Sequence, residues 1–258
     1  MEVSVLQFNV NGRDVKAAGV DPETTLASYL RNQLGLTGAK LACECGACGS
    51  CTVVIGKWDH KLEKAKYTAV SSCIFPLYMA HHSLVLTIEG IGGSTKIHPI
   101  QERLARSNGI QCGFCSTGFV MSAYALLRNN PSPTIHEINQ AVKGNLCRCT
   151  GYRPILEALY SFGEGGCCGG NGSTCSCKGN GSADSKQITA INEFPKFDET
   201  QEILFPPSLI MEKTADDLYL VGARVTLIAP VSWKEIDDCF KDDEDVTIVS
   251  SGQITRLR

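Results

Sequence analysis

The sequence predicts an α+β chain in which a small mixed domain is followed by a helical one. Three observations support this fold class: polar and apolar residues alternate in strand-like runs up to about residue 90, apolar residues recur at helical spacing from residue 98, and the cysteines form one group in each region. The predicted boundaries place a first domain at 1–91, a helical domain at 92–165, a linker rich in Gly, Cys and Ser at 166–190, and a final segment at 191–258.

The first domain opens with a predicted β-hairpin over 1–17. Alternating apolar residues lead into Asn11-Gly12, a pair typical of two-residue hairpin turns. A helix follows, which Thr24 or Thr25 can cap and Gly35 ends. Two further strands are predicted, at 52–55 and 84–88.

The second domain is predicted to be a compact bundle of four helices. They are expected at 98–107, 118–129, 135–143 and 154–162. Thr134 and Glu137 have the spacing of a capping box at the start of the third helix, and Gly144 follows its end. Pro154 suits the first turn of the fourth.

Composition excludes several classes of protein. The charge is nearly balanced, with 24 Lys+Arg against 27 Asp+Glu, so no basic field exists to hold nucleic acid. No run reaches the roughly 18 apolar residues that a membrane helix needs, and residues 1–10 read as a strand rather than a signal peptide. We therefore expect a cytoplasmic protein without nucleic-acid or membrane partners. In a reducing compartment, the 14 cysteines are more suited to metal than to disulfides.

The first cysteine group has the plant-type [2Fe-2S] spacing, with three thiols in one loop and a fourth farther along the chain. Its members are Cys43, Cys48, Cys51 and Cys73. A zinc site and ordinary buried thiols are the alternatives that spacing leaves open. Cys45 offers an alternative pair with Cys48, but we interpret it as a non-ligand because it breaks the iron–sulfur spacing.

The second group consists of two short pairs, Cys112-x2-Cys115 and Cys147-x-Cys149. Spacing alone fits either a [2Fe-2S] cluster or tetrahedral zinc. A further set lies in the linker and comprises Cys167, Cys168, Cys175 and Cys177. Its glycine-rich surroundings offer no rigid frame, so we expect a disordered linker there and no third metal site.

Three strings resemble the xanthine dehydrogenase and aldehyde oxidase group of molybdenum hydroxylases. They are GAKL at 38–41, QCGFC at 111–115 and GNLCRCTGYRPI at 144–155. The resemblance spans 3–165 and continues weakly through Phe205-Pro206-Pro207, which looks like the start of the flavin domain. It implies a ferredoxin-like β-grasp domain and a four-helix domain, each with one [2Fe-2S] cluster. It also implies that Gln111 and Cys149 face molybdopterin, and that electrons pass from the second cluster to the first and then to FAD.

The sequence departs from the family pattern at several places. No molybdenum domain follows, and Gly252 alone remains of a loop expected on FAD, so we expect no FAD binding by this chain alone. A truncated product, a partial gene model and a separate small subunit remain alternatives. Ala42 and Cys45 stand where the family favours glycine, which predicts strain in the first loop. Ser116-Thr117 replaces an expected Thr-Pro, which predicts an altered helix start.

These observations predict an electron-transfer protein with two [2Fe-2S] clusters, no catalytic residues and no hydroxylase activity of its own. Partners that fit are chains carrying molybdopterin and flavin, or a second copy of this chain. A zinc-stabilised interaction module and a degenerate relative that passes no electrons are the alternatives.

Overall fold

The structure, a computed structural model, describes residues 5–94, 96–163 and 202–210, together with the backbone of four short strands between 219 and 256. The predicted linker at 166–190 and most of the final segment lie outside the described residues. Within the described part of the chain, no helix has the length and apolar character needed to cross a membrane.

Five strands form one mixed sheet in the order β2-β1-β5-β3-β4. They are β1 (Val5–Val10), β2 (Arg13–Ala18), β3 (Thr52–Asp59), β4 (Lys64–Ser71) and β5 (Leu84–Leu86). β1 and β5 run parallel, and the other neighbours are antiparallel. The predicted hairpin is confirmed: Asn11 and Gly12 have φ values of 51° and 85°, as the tight turn between right-twisted strands requires.

Six α-helices are described. They are α1 (Leu26–Asn32), α2 (Ile88–Ile91), α3 (Pro99–Arg106), α4 (Ser116–Asn129), α5 (Ile135–Val142) and α6 (Arg153–Tyr160). Thr25 caps α1, its hydroxyl accepting a hydrogen bond from the Ser28 N–H. The capping box of Thr134 and Glu137 at the start of α5 is confirmed. The expected combination of a mixed sheet with helices is therefore present.

The sheet is covered on both faces, which is why β3 is buried along most of its length. Val53 and Ile55 face a core shared with α1, whereas Val54 faces a second core shared with α4. Side chains alternate between faces along a strand, so one strand serves both cores. The second core also contains Leu84 and Phe119. Residues on either side of the predicted boundary at 91 thus share one hydrophobic core.

The structure corrects several predicted bounds. The strand β4 was not predicted, because it lies at the sheet edge, buries only Tyr67 and therefore has a polar pattern. The strand expected at 84–88 ends at Leu86, and α2 follows directly. The helix expected from Gly118 begins at Ser116.

The final segment is described only in part. Residues 207–209 form a short 3₁₀ helix that buries Leu209 against the second core. Farther on, two backbone hairpins are described, β6 (Tyr219–Val221) with β7 (Arg224–Thr226) and β8 (Thr247–Ser250) with β9 (Gln253–Arg256).

Candidate metal centres

The first cysteine loop bends sharply between α1 and β3. Gly46 and Gly49 have φ values of 78° and 71°, a region that glycine enters without steric cost. The strain expected at Ala42 and Cys45 is not found, because neither has a positive φ. Glu44 has one instead, at 53°. The strained backbone of this loop therefore lies at Glu44, a position that the sequence did not predict to be strained.

The structure brings the four cysteines of the first group together as two pairs. The Cys48 side chain acts on the pKa of Cys43, and the Cys51 side chain acts on that of Cys73. The charges of both Cys51 and Cys43 act on Cys73, so the pairs are neighbours. Cys51 and Cys73 are buried, Cys43 and Cys48 are half-buried, and Cys45 is exposed. Cys45 contributes its backbone N–H to the Cys43 sulfur.

Backbone and hydroxyl donors surround these sulfurs. The Cys48 N–H donates to Cys43 Sγ at 3.3 Å. The Cys45 N–H, followed by the Cys48 thiol and N–H, lowers the pKa of Cys43 to about 6. The Ser50 hydroxyl lies 3.1 Å from Cys48 Sγ. Burial, followed by the hydrogen bond to Cys51, raises the pKa of Cys73 to about 11. The loop therefore favours the thiolate at its open side and the thiol at its buried side.

The second group is also assembled as two pairs, on the loops before α4 and before α6. Cys149 Sγ lies 3.4 Å from Cys112 Sγ, and the Cys147 side chain acts on the pKa of Cys115. Cys147 is buried and Cys115 half-buried, whereas Cys112 and Cys149 are exposed. Gln111, next to Cys112, is exposed as well. Each quartet thus has an inner pair and an outer pair.

In the second quartet, each pair contains one cysteine with a raised pKa and one with a lowered pKa. Burial, followed by the bond to Cys147, raises the pKa of Cys115 to about 12. The Phe114 N–H and the Cys149 thiol lower the pKa of Cys112. Burial opposes the thiolate of Cys147, yet its pKa is lowered because the Thr150 hydroxyl and N–H outweigh that effect, at 3.1 and 3.5 Å from the sulfur.

This donor set fits a diiron cluster. Each iron of a [2Fe-2S] cluster takes two protein sulfurs, so two neighbouring pairs per site match its needs, and N–H and hydroxyl groups aimed at sulfur offset its negative charge. Among the described residues, no group of three or more His, Cys, Asp or Glu side chains is arranged around a single metal ion.

The two quartet loops touch each other. The Leu146 N–H donates to the Cys48 carbonyl at 2.9 Å, and the Thr117 hydroxyl donates to the Ser50 carbonyl at 3.3 Å. Thr117 belongs to the Ser116-Thr117 pair that departs from the family pattern, so this substitution supplies a contact between the domains as well as a helix start.

Comparisons with known proteins support both sites. Residues 8–77 match a family described as a 2Fe-2S iron-sulfur cluster binding domain, and residues 87–160 match one described as a [2Fe-2S] binding domain. The chain is 55% identical over 267 residues to a probable aldehyde oxidase of Caenorhabditis elegans, covering all of this chain and 21% of that protein. It is 46% identical over 257 residues to the rat xanthine dehydrogenase/oxidase, covering 96% and 19%.

The chain belongs to the xanthine dehydrogenase and aldehyde oxidase family. It matches the iron–sulfur region of this family and spans about a fifth of the length of these relatives. A chain of the quinoline 2-oxidoreductase of Pseudomonas putida superimposes with a TM-score of 0.53 at 29% identity, over 75% of this chain and 98% of that one. The aldehyde oxidoreductase of Desulfovibrio gigas superimposes with a TM-score of 0.55 at 30% identity, over 80% and 19%.

Sequence reasoning missed a buried charged network beside the family's two sulfur sites. Glu202 accepts hydrogen bonds from His98 Nε2 at 2.9 Å and from the Tyr124 hydroxyl at 2.5 Å, and lies 3.8 Å from Arg128 Nη1. Arg128 also donates to the Tyr67 hydroxyl on β4 and to the Ile203 carbonyl. The network fastens residues 202–210 to both domains. No sequence signal could find it, because Glu202 lies in a polar stretch far along the chain from its partners.

Proposed function

We propose that this chain transfers electrons through two [2Fe-2S] clusters, one in each cysteine quartet. The proposed ligands are Cys43, Cys48, Cys51 and Cys73 for the first, and Cys112, Cys115, Cys147 and Cys149 for the second. The observation that carries this proposal is the assembly of each quartet as two neighbouring thiol pairs, one of which has its sulfurs 3.4 Å apart. When bound, each cluster supplies a centre that accepts and releases one electron. The zinc alternative is not favoured, since both matched families are [2Fe-2S] domains.

The residues around the sulfurs have distinct roles in this proposal. Ser50 and Thr150 each place a hydroxyl 3.1 Å from one sulfur, on Cys48 and Cys147. Hydrogen bonds to ligand sulfur stabilise the more negative, reduced state and so raise the reduction potential. The buried inner pairs exclude water from one side of each site, while the outer pairs lie where electrons can pass to or from a partner.

The outer pair of the second quartet is the proposed electron entrance. Cys112 and Cys149 are exposed, and three exposed apolar side chains lie beside the quartet in sequence, namely Ile110, Phe114 and Leu146. An apolar rim around exposed ligands suits a protein interface. We propose that Gln111 and Cys149 face a molybdopterin group there, and that electrons leave the first quartet toward FAD. Both cofactors would come from further domains or partner chains.

In its finer detail, the proposed architecture is a β-grasp domain, a four-helix domain and the start of a flavin domain. A chain of the quinoline 2-oxidoreductase structure is covered over 98% of its length, which supports a separate small subunit as one form of this region. A second copy of the chain is the alternative partner. We propose a cytoplasmic location, because a reducing compartment keeps the eight proposed ligand thiols available for iron.

The test is iron and labile sulfide analysis of the reconstituted 258-residue chain and two variants. We expect about four irons per wild-type chain and about two in Cys48→Ser, because one cluster is lost. Cys45→Ser is the matched control from the same loop and should keep the wild-type iron content. Zinc without labile sulfide in the wild type would contradict the proposal, and equal losses in both variants would contradict the ligand assignment.

A further inference from the structure

The two quartet loops meet at one junction, which is built around Asn145. Its neighbour Leu146 donates its N–H to the Cys48 carbonyl at 2.9 Å. The Asn145 side chain itself donates from Nδ2 to the Gly49 carbonyl at 3.2 Å. Cys48 belongs to the first quartet, and Leu146 directly precedes Cys147 of the second. Two hydrogen bonds therefore join the loops within a residue or two of a sulfur on each side.

The orientation of the Asn145 amide is fixed from the helical domain. Its Oδ1 accepts a hydrogen bond from the Ser122 hydroxyl at 2.9 Å, and its backbone N–H donates to the Val142 carbonyl at 3.0 Å. Asn145 and Ser122 are both buried. Because Oδ1 accepts the hydrogen bond from Ser122, the other end of the amide, Nδ2, points toward Gly49. One end of the side chain thus stays in its own domain while the other reaches across.

Glycines on both sides let the backbones approach closely. A Cβ at Gly49 would lie 2.5 Å from Asn145 Nδ2, and a Cβ at Gly118 would lie 2.2 Å from the Gly49 carbonyl oxygen. Real Cβ atoms do not approach this closely, so neither position has room for a side chain. The junction holds the first turn of α4, the Gly49 turn and Asn145 in direct contact, and this contact fixes the separation of the quartets.

We propose that Asn145 is a positioning residue for electron transfer between the quartets, an inference that rests on the function proposed above. With both groups bound, one electron would leave the group held by the second quartet, which would be oxidised, and arrive at the group held by the first, which would be reduced. No proton moves and no covalent bond changes at the junction. The rate of electron tunnelling falls steeply with distance, and it is faster through a hydrogen bond than across an empty gap. The Leu146 N–H and the Cys48 carbonyl form such a hydrogen bond, and the Asn145 side chain keeps these two groups in contact.

The test compares Asn145→Ala with Ser122→Ala by electron paramagnetic resonance of the fully reduced chain. Both variants truncate a buried side chain and remove the bond between these two residues, but only Asn145→Ala also removes the bond between the domains. A fixed separation gives a resolved magnetic splitting between two reduced clusters. We expect Asn145→Ala to keep its iron but lose the resolved splitting, with faster hydrogen exchange at the Leu146 amide. Ser122→Ala leaves the bond to the Gly49 carbonyl in place and only frees the amide to turn, so we expect a clearly smaller change in both properties.

The outcomes separate this inference from the proposed function. A wild-type chain without any iron–sulfur signal would overturn the function. Two intact signals with the same splitting in wild type and Asn145→Ala would overturn the role of Asn145 alone, as would equal effects in Asn145→Ala and Ser122→Ala. If Asn145→Ala loses iron, Asn145→Asp takes its place, because it keeps an oxygen for the Ser122 hydroxyl and removes only the donor to the Gly49 carbonyl. Retained iron with a blurred splitting would then support the inference, and an unchanged splitting would refute it.

Discussion

Replacing Glu202 by alanine tests whether residues 202–210 form a brace, that is, a segment that holds the two domains together. The carboxylate is 7% exposed, Arg128 is 9% exposed, and the atoms between them are 3.8 Å apart. Removing one partner of a buried pair costs about 3–5 kcal/mol, because the remaining Arg128 charge loses its buried counter-charge. The two hydrogen bonds from His98 and Tyr124 are lost in the same change and are part of that cost. At roughly 2–4 °C per kcal/mol for a protein of this size, the melting temperature should fall by about 10 °C.

Urea unfolding followed by tryptophan fluorescence is the appropriate assay. Trp58 packs against Phe205 of the brace, with ring centroids 5.8 Å apart, so its emission reports release of the segment. Glu157→Ala is the matched control, because Glu157 pairs with Arg153 on an exposed helix surface, where such pairs contribute little. A loss of stability in Glu202→Ala no larger than in Glu157→Ala would refute the brace.

Four further predictions follow from the same contacts. Burial opposes the Glu202 carboxylate, but hydrogen bonds from His98 and Tyr124 and nearby positive charge outweigh burial and lower its pKa below 4.5. The stability that Glu202 contributes should therefore be present above pH 4.5 and be lost as the pH falls through its folded pKa, as measured by urea titrations at a series of pH values. Cys115→Ser should halve the iron content to about two per chain while one paramagnetic signal survives; unchanged iron would contradict the ligand assignment. In the metal-free chain, iodoacetamide should label Cys43, with a pKa of about 6, well before Cys115, with a pKa of about 12, as read by peptide mass spectrometry. Gly118→Ala should cost about 1–3 kcal/mol in urea unfolding because its Cβ meets backbone, whereas Gly144→Ala has open space and should change little.

Local signals in the sequence predicted much of the fold. The Asn11-Gly12 pair fixed the first hairpin because only left-handed residues suit its turn, and Thr134 with Glu137 fixed the start of α5 through their own side-chain bonds. The edge strand β4 was missed because its single buried residue, Tyr67, leaves no alternating pattern. The hairpin and the start of α5 were predictable because local side chains determine them, whereas β4 was not because it depends on pairing with β3.

The candidate site shows the same division. Cysteine spacing predicted which sulfurs assemble, because a loop that encloses a cluster places its ligands at fixed intervals. Spacing could not reveal that each quartet has an inner and an outer pair, since this depends on how α4 and the first loop pack. The roles of Asn145 and Glu202 also arise from contacts between distant residues. Glu202 lies 78 positions from Tyr124 and 104 from His98, and Asn145 lies 96 positions from Gly49. Such contacts leave no local pattern.

Electron paramagnetic resonance of the dithionite-reduced wild-type chain, with metal analysis of the same sample, tests the central claim most directly. The account predicts two distinguishable iron–sulfur signals of equal spin, with about four irons per chain. A single signal would mean that one quartet does not hold a cluster. A colourless sample that contains zinc and gives no signal would contradict the account as a whole.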